Sequence, residues 1–276
     1  MKNIHKNQDL IAYYKQSDWL YKFFWHGNKS LGLHFGIDEP KTRTLQEAII
    51  NQYKIICNEG NIKSGMRVLD AGCGVGGASL YIAKKTGAKV YGISLVPEQI
   101  STAKSHAKDQ KLDGNTQFEV MNYVKTDYPD DYFDLIFGIE SVCHCSPKEL
   151  FLKEAFRILK KGGQLIVSDG YQKRNPKNFE EKAIVKNFCQ GWKLGEIILC
   201  EKFSKKIAQT GFKLDKIIDK TNSLSLTISR FKLLSFIGNF FQFLPGVRDN
   251  VLAIKSVLSG LETGQFGYFI HVARKT

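Results

Sequence analysis

Short apolar runs alternate with helix-period segments through the middle of the chain: MRVLDAG, ASLYIAKKT, AKVYGISL, PEQISTAKSHAKDQK, TQFEV, YFDLIFGIES, PKELFLKEAFRILKKG and GQLIVSD. Near-continuous Val/Ile/Leu runs suit strands buried on both faces, and the intervening 3.6-residue periodicity suits the helices that cover them. The alternation predicts β-α-β units around a parallel sheet. Helix starts are marked separately. Thr44 to Glu47 form a capping box before a helix whose inner face is Leu45, Ile49, Tyr53 and Ile56. Pro97 and Glu98 open a second helix. Ser146-Pro147-Lys148-Glu149 reads as a further capping box with proline at the first helical position. Leu152, Ala155, Phe156 and Leu159 follow at helical spacing, and Gly162-Gly163 are expected to end that helix.

Three segments fall outside this alternation. Residues 1–60 are rich in aromatics (YYKQSDWLYKFFWHGNKSLGLHFG), residues 171–202 follow the LIVSD strand, and residues 221–262 contain RFKLLSFIGNFFQFLPG. The last separates a strand-like FKLDKIID from a final strand-like FGYFIHVARK. The expected organisation is one domain over 1–276: an N-terminal helical cap over 1–60, a ligand-binding core over 61–170, and the remaining strands over 171–276 with cap insertions near 171–202 and 221–262. The stretch 230–244 is too short to span a bilayer. It reads as a core helix, a lid over a greasy acceptor, or an interfacial helix with Arg230, Lys232 and Arg248 at lipid headgroups.

Composition narrows the classes. With 276 residues, 43% of them hydrophobic, the chain can bury a sizeable core. No run approaches the roughly 18 apolar residues of a spanning helix, and the start lacks the apolar stretch of a secretion signal. Six cysteines without disulfide or CxxC spacing suit a reducing compartment. The expected location is the cytoplasm, with peripheral membrane contact left open. The net charge of +13 comes from dispersed lysines and short pairs, without a nucleic-acid motif, so no nucleic-acid partner is expected.

The candidate chemistry starts at VLDAGCGVGG, residues 68–77, between a strand pattern and a helix. Gly72, Gly74 and Gly77 satisfy a dinucleotide GxGxxG, whereas Asp70, Gly72, Gly74 and Gly76 satisfy the acidic loop of S-adenosylmethionine enzymes. Asp70 would repel a pyrophosphate but attract a cationic amino-acid end. The second strand ends in Ile93-Ser94-Leu95, not in the acid an NAD ribose calls for. Both features favour S-adenosylmethionine. Further along, GIESVCHCSP lies at the carboxyl end of the fourth core strand, where open α/β sheets place ligands. Cys143, His144 and Cys145 stand too close together to wrap one tetrahedral zinc, so no metal is expected and the thiols read as small buried groups.

On these residues the chain resembles class I S-adenosylmethionine-dependent methyltransferases, more closely the group of sterol C-methyltransferases and tocopherol methyltransferases, with cyclopropane fatty acid synthases further off. DAGCGVGG, GISLVPEQI, LIFGIES..H and EAFRILKKGGQLIVSD match in order over about residues 60–170, preceded by YY…W.G…LHFG. The resemblance implies a Rossmann-like α/β fold, mostly parallel with an antiparallel last strand, plus a helical cap. It places Asp70, Gly72 and Gly74 at the methionine end of S-adenosylmethionine, Ser94, Leu95 and Gln99 at the ribose, and Asn122 and Tyr123 at the adenine. Glu140 is implied near the sulfonium, and Tyr14 near the cofactor and acceptor. Glu140 and His144 are implied as catalytic, and Trp25, His34, Phe35 and His144 as acceptor contacts.

Methyl transfer is an in-line displacement that needs the nucleophile roughly 3 Å from the methyl in a dry pocket. Aromatic faces such as those of the N-terminal segment suit a sulfonium or a carbocation. The expected activity is transfer to carbon of a lipophilic isoprenoid, sterol-like or prenylated aromatic acceptor. Alternatives are O- or N-methylation of an amine, phenol or phospholipid headgroup, or a regulatory protein that binds the cofactor without turnover. The sequence leaves monomer and homo-oligomer open.

Overall fold

The computed structural model describes residues 8–17 and 30–276. Residues 8–17 form a helix, α1. The chain then runs through α2 (Leu45–Glu59), β1 (Arg67–Ala71), α3 (Gly77–Thr86), β2 (Lys89–Ser94), α4 (Pro97–Asp109), β3 (Thr116–Val120) and β4 (Phe133–Ile139). A 3-10 turn at Val142–His144 leads to α5 (Glu149–Ile158), β5 (Leu159–Gln172), α6 (Phe179–Gly191), α7 (Cys200–Gln209) and β6 (Phe212–Asp219). A second 3-10 turn precedes α8 (Ser225–Phe240), α9 (Val247–Glu262) and β7 (Phe266–Lys275).

The strands form one sheet in the order β3-β2-β1-β4-β5-β7-β6. β1 to β5 are parallel, and β7 runs antiparallel to both β5 and β6. This is the Rossmann-like order that the motifs implied. Winding starts at β1, proceeds outward to β3 and reverses at β4, so a crevice opens beside β1 and β4 at their carboxyl ends. Both faces of the sheet are covered. Leu135 and Phe137 join one apolar cluster with Ile49, Tyr53, Ile56 and Ile166, while Ile136 joins another with Phe151, Leu152, Val167 and Phe203. Each such side chain, fully buried, contributes about 1.5–3 kcal/mol of transfer free energy before the entropy of ordering is subtracted.

Local signals set the element ends where nothing competes with them. Thr44 Oγ1 accepts from the Glu47 N–H at 3.2 Å and the Glu47 carboxylate accepts from the Thr44 N–H, closing the expected capping box. Ser146 behaves differently. α5 begins only at Glu149, with Lys148 at the cap position and no side-chain cap. Glu149, needed for the capping box, pairs with Lys206 of α7 instead. The far end also differs from expectation: α5 stops at Ile158, and Gly162-Gly163 lie inside β5. Leu159 is buried opposite Phe133 in the sheet, and that pairing overrides the helical periodicity. The three outlying segments supply α1 with α2, then α6, and the α8–α9 pair.

Candidate active site

Two cavities adjoin at the carboxyl ends of the strands. The smaller, about 110 Å³, is lined by Asp70, Gly72, Gly74, Ser94, Leu95, Gln99 and Tyr123. The larger, about 330 Å³, is lined by Phe35, Asp169, Tyr171, Trp192, Phe231 and Tyr268, together with the inner faces of α8 and α9. Tyr14, Leu33, Glu140 and His144 line both. These four residues are the shared wall.

The smaller cavity is shaped by backbone. Gly72 and Gly74 adopt φ of +104° and +53°, the left-handed region that favours glycine. A Cβ on Gly72 would lie 2.4 Å from Ser141 Cβ, whereas one on Gly74 would meet nothing within 4 Å. The loop is tied to β2 because the Gly72 and Cys73 N–H groups both donate to the Ile93 carbonyl. Asp70, 3% exposed, accepts from Ser79 Oγ at 2.7 Å, and burial still pushes its carboxyl up to about 7. A ligand ammonium would relieve that penalty. Ser94 Oγ donates to Gln99 Oε1 at 2.8 Å, which brings the two expected ribose residues together, with Leu95 beside them. Tyr123 lines the cavity while its hydroxyl donates to the Ser141 carbonyl. Asn122 lies outside the lining: its Oδ1 accepts from the Val124 N–H and closes the turn at 122–125. A buried carboxylate, open backbone, a polar Ser–Gln pair and an aromatic ring fit the amino-acid end, ribose and base of S-adenosylmethionine.

Glu140 turns the chain out of β4 at φ +47°, a conformation that costs a non-glycine residue roughly 1–2 kcal/mol. The strain is offset by strong hydrogen bonds: Oε1 accepts from the Phe35 N–H at 2.7 Å and lies 2.8 Å from the Tyr268 hydroxyl. Tyr268 also reaches Gln52 Oε1, to which Ser168 Oγ donates. Burial, followed by the neighbouring Asp169, pushes Glu140 up to about 8. His144 Nε2 sits 3.1 Å from the Tyr14 hydroxyl, and burial holds its pKa down to about 4, so the ring is neutral at pH 7.

His34, expected at the acceptor, is buried beside the smaller cavity. Its ring meets Tyr53 and Gln52, an arrangement that steadies the loop. Phe35 does face the larger cavity, stacked on Tyr268 and edge-on to Phe231 and Trp192. Trp25 lies outside the described residues. The thiols of Cys143 and Cys145 donate to the carbonyls of Glu140 and Pro147.

A family model described as a methyltransferase domain matches residues 62–222, more than half of the chain. The chain belongs to the methyltransferase-domain family. A 2-methyl-6-phytyl-1,4-hydroquinone methyltransferase of Synechocystis is 30% identical over 200 residues, covering 70% of this chain and 61% of that protein. Sterol methyltransferase-like 3 of Botryococcus braunii is 30% identical, covering 91% of this chain and 67% of that protein. This chain therefore spans only about three-fifths to two-thirds of the length of these two relatives. Among solved structures, the cyclopropane synthase MmaA2 of Mycobacterium tuberculosis superposes with a TM-score of 0.83 at 17% identity over 98% of each chain, which shows a shared fold.

In this methyltransferase-family chain, the residues that sequence reasoning missed are the ones that hold the wall in place. Lys148, 2% exposed, donates from Nζ to the carbonyls of Val142, Cys143 and Cys145 at 2.7–3.1 Å and reaches Glu196 at 3.4 Å. Asp169 Oδ2 accepts from the Cys143 N–H at 2.8 Å. Together they clamp the turn carrying His144 from both sides. Lys148 was concealed in an apparent capping box and Asp169 at the end of a strand. Tyr268 sits in a β7 stretch buried on both faces, so no alternation marked it.

Proposed function

We propose that the chain transfers the methyl group of S-adenosylmethionine to a neutral lipophilic acceptor, an isoprenoid-like, sterol-like or prenylated aromatic molecule, at carbon. One observation carries the reading: a cavity whose polar groups, Asp70, Ser94 and Gln99, suit the cofactor and a larger, predominantly apolar cavity share a wall containing Glu140 and His144. Asp70, Gly72, Gly74, Ser94, Leu95, Gln99 and Tyr123 would hold the cofactor, which supplies an electrophilic methyl on sulfur. The relatives' names, a phytylhydroquinone methyltransferase and a sterol methyltransferase-like protein, support a greasy acceptor.

The chain's own contribution is positioning and charge. The apolar walls exclude water, so the electrostatic effect of Glu140 on the acceptor is strong. When an alkene's π electrons bond to the methyl, the adjacent carbon becomes cationic, and the faces of Phe35, Trp192 and Tyr268 together with the Glu140 carboxylate lower its energy. Glu140 then takes a proton from a neighbouring carbon, restoring the double bond. The charge of the lining also selects the acceptor. Among the described residues facing the larger cavity, Lys148 is the one lysine or arginine, and its amine is already surrounded by carbonyls. A diphosphate or phospholipid headgroup would instead meet Glu140, Asp169 and Glu196.

The test is in two steps. Calorimetry with S-adenosylmethionine and S-adenosylhomocysteine should show binding of both; failure of both removes the reading. Methyl-labelled donor supplied with isoprenoid alcohols, sterols, quinols, prenyl diphosphates and amines should label a neutral lipophilic pool at carbon. Label confined to oxygen, nitrogen or phosphorylated acceptors overturns the acceptor assignment, and binding without label in any pool points to a cofactor-binding regulator.

A further inference from the structure

α8 is apolar on its outward face as well as its covered one, unlike an ordinary surface helix. α7 buries Phe203 and Ile207 and turns Glu201, Lys202 and Lys205 outward. In α8 the inward positions are Thr227, Phe231, Ser235 and Gly238, three of them small or polar. Phe231, Leu234 and Ile237 face the larger cavity, but further large apolar residues point the other way: Leu233, Phe236 and Phe240 are 48%, 65% and 66% exposed. Beyond the helix, Phe241 and Phe243 continue the patch at 46% and 79% exposed. The Phe236 and Phe240 rings lie edge to face with centroids 5.5 Å apart, and those of Phe241 and Phe243 lie 6.3 Å apart, so these exposed rings sit in contact pairs and are not a scatter of single residues. Soluble monomers rarely present contiguous apolar patches beyond a few hundred Å² unless something docks there.

Two further observations indicate the occupant. From Ser225 to Arg248 there is no Asp or Glu, while Arg230, Lys232 and Arg248 carry positive charge, and Lys232 and Arg248 are exposed within the same segment. That complements an anionic surface. In addition, the same segment forms a wall of the larger cavity through Leu234, Ile237, Gly238, Phe241 and Leu244, and Phe241 belongs both to the exposed patch and to the lining. No helix among the described residues is long and apolar enough to cross a membrane, so a lipid contact here lies in the plane of the surface.

We propose that α8 and the loop to Arg248 dock on an anionic lipid surface and admit the lipophilic acceptor from the bilayer past Phe241 and Leu244. The acceptor route rests on the proposed function; the docking itself does not. Full-length protein is pelleted, without donor or acceptor, with phosphatidylcholine vesicles and with phosphatidylcholine–phosphatidylglycerol vesicles. The expected result is binding to the anionic vesicles that weakens as salt rises. The triple variant Phe236→Ser, Phe240→Ser, Phe243→Ser should bind at least tenfold more weakly. Lys232→Gln with Arg248→Gln should bind several-fold more weakly, with the loss confined to anionic vesicles. Because all five side chains are exposed, an unchanged melting temperature and unchanged S-adenosylmethionine binding verify the fold of each variant. Absence of wild-type pelleting, or wild-type binding by the folded triple variant, overturns docking. So does sedimentation showing a dimer that the triple variant abolishes and that anionic vesicles leave intact, since the patch is then covered by a second copy. Vesicle binding without methyl transfer to any acceptor keeps the docking and removes the proposed function.

Discussion

Backbone shapes part of the smaller cavity, whereas the larger is bounded by side-chain volume. In the first, three consecutive strand ends deliver Asp70, Ser94 and Tyr123, and left-handed glycines leave main chain as the surface. In the second, walls come from α1, the 30–37 loop, α6, α8, α9 and β7, elements far apart in sequence. A backbone surface is set by φ and ψ and tolerates little substitution, whereas a side-chain surface is reshaped one residue at a time. On the proposed function, the donor side is accordingly the fixed half and the acceptor side the adjustable half, with Glu140 and His144 where they join.

The most severe test strikes the junction. Glu140→Gln keeps the shape but removes the proposed base and its negative charge, so kcat should fall by about 10²–10⁴-fold while the Kd for S-adenosylmethionine changes by less than about threefold. Because burial holds the Glu140 carboxyl up at about 8, the deprotonated form accumulates only as pH rises through that value. The kcat of the wild type should climb between about pH 7 and 9, and the climb should be absent from the variant. Full turnover by Glu140→Gln would remove Glu140 from the chemistry.

Next come paired substitutions on either side. Asp70→Asn should weaken S-adenosylmethionine binding by roughly 30–100-fold, the loss of a charge-assisted contact at a buried site, with acceptor KM unaltered. Gly238→Val should do the reverse. An added Cβ there lies 2.4 Å from Val251 Cγ2, so α8 is pushed away from α9 and the larger cavity changes shape. Acceptor KM should rise about tenfold with cofactor Kd unchanged. If calorimetry shows both variants altering both ligands, the division into a fixed and an adjustable half is wrong.

The same division governs what could be read from the sequence. The acidic glycine loop and the β-α-β alternation come from local patterns, because short turns between consecutive elements constrain residue type directly, whereas the Ser94–Gln99 pair and the strand order followed from the family resemblance. Asp70, Gly72 and Gly74 line one cavity and Glu140 and His144 the shared wall. Tyr268, Gln52, Lys148 and Asp169 were not legible. Each acts through a partner fixed only by tertiary packing, such as Tyr268 on Glu140 across 128 residues. The misread start of α5 has the same origin, since Glu149 finds Lys206 and not the helix cap. Likewise, no pattern in RFKLLSFIGNFF says which face of an all-round apolar helix is covered; the inward Gly238 and Ser235 decide that only once α9 is in place.

The smallest expected effect concerns stability without ligand. Three buried carboxyls in or beside the cavities are held above their ordinary values: Asp169 at about 6, Asp70 at about 7 and Glu140 at about 8. A carboxyl raised on folding stabilises the protein fully below its unfolded pKa, near 4, and that contribution is lost as pH rises through the folded value. His34, His144 and His271 are lowered to about 4, so their contribution is present above about 6.5 and lost as pH falls toward 4. The ligand-free melting temperature should therefore be highest near pH 5–6.5 and decline on both sides. Asp70→Asn with Glu140→Gln should remove most of the alkaline decline, raising the melting temperature at pH 8.5 by about 5 °C and leaving it nearly unchanged at pH 5. Differential scanning calorimetry at the two pH values checks the sign. Adding S-adenosylmethionine sharpens it: a cationic amino-acid end at Asp70 should cancel that residue's share in the wild type, while the shares of Glu140 and Asp169 on the acceptor side persist until the larger cavity is filled.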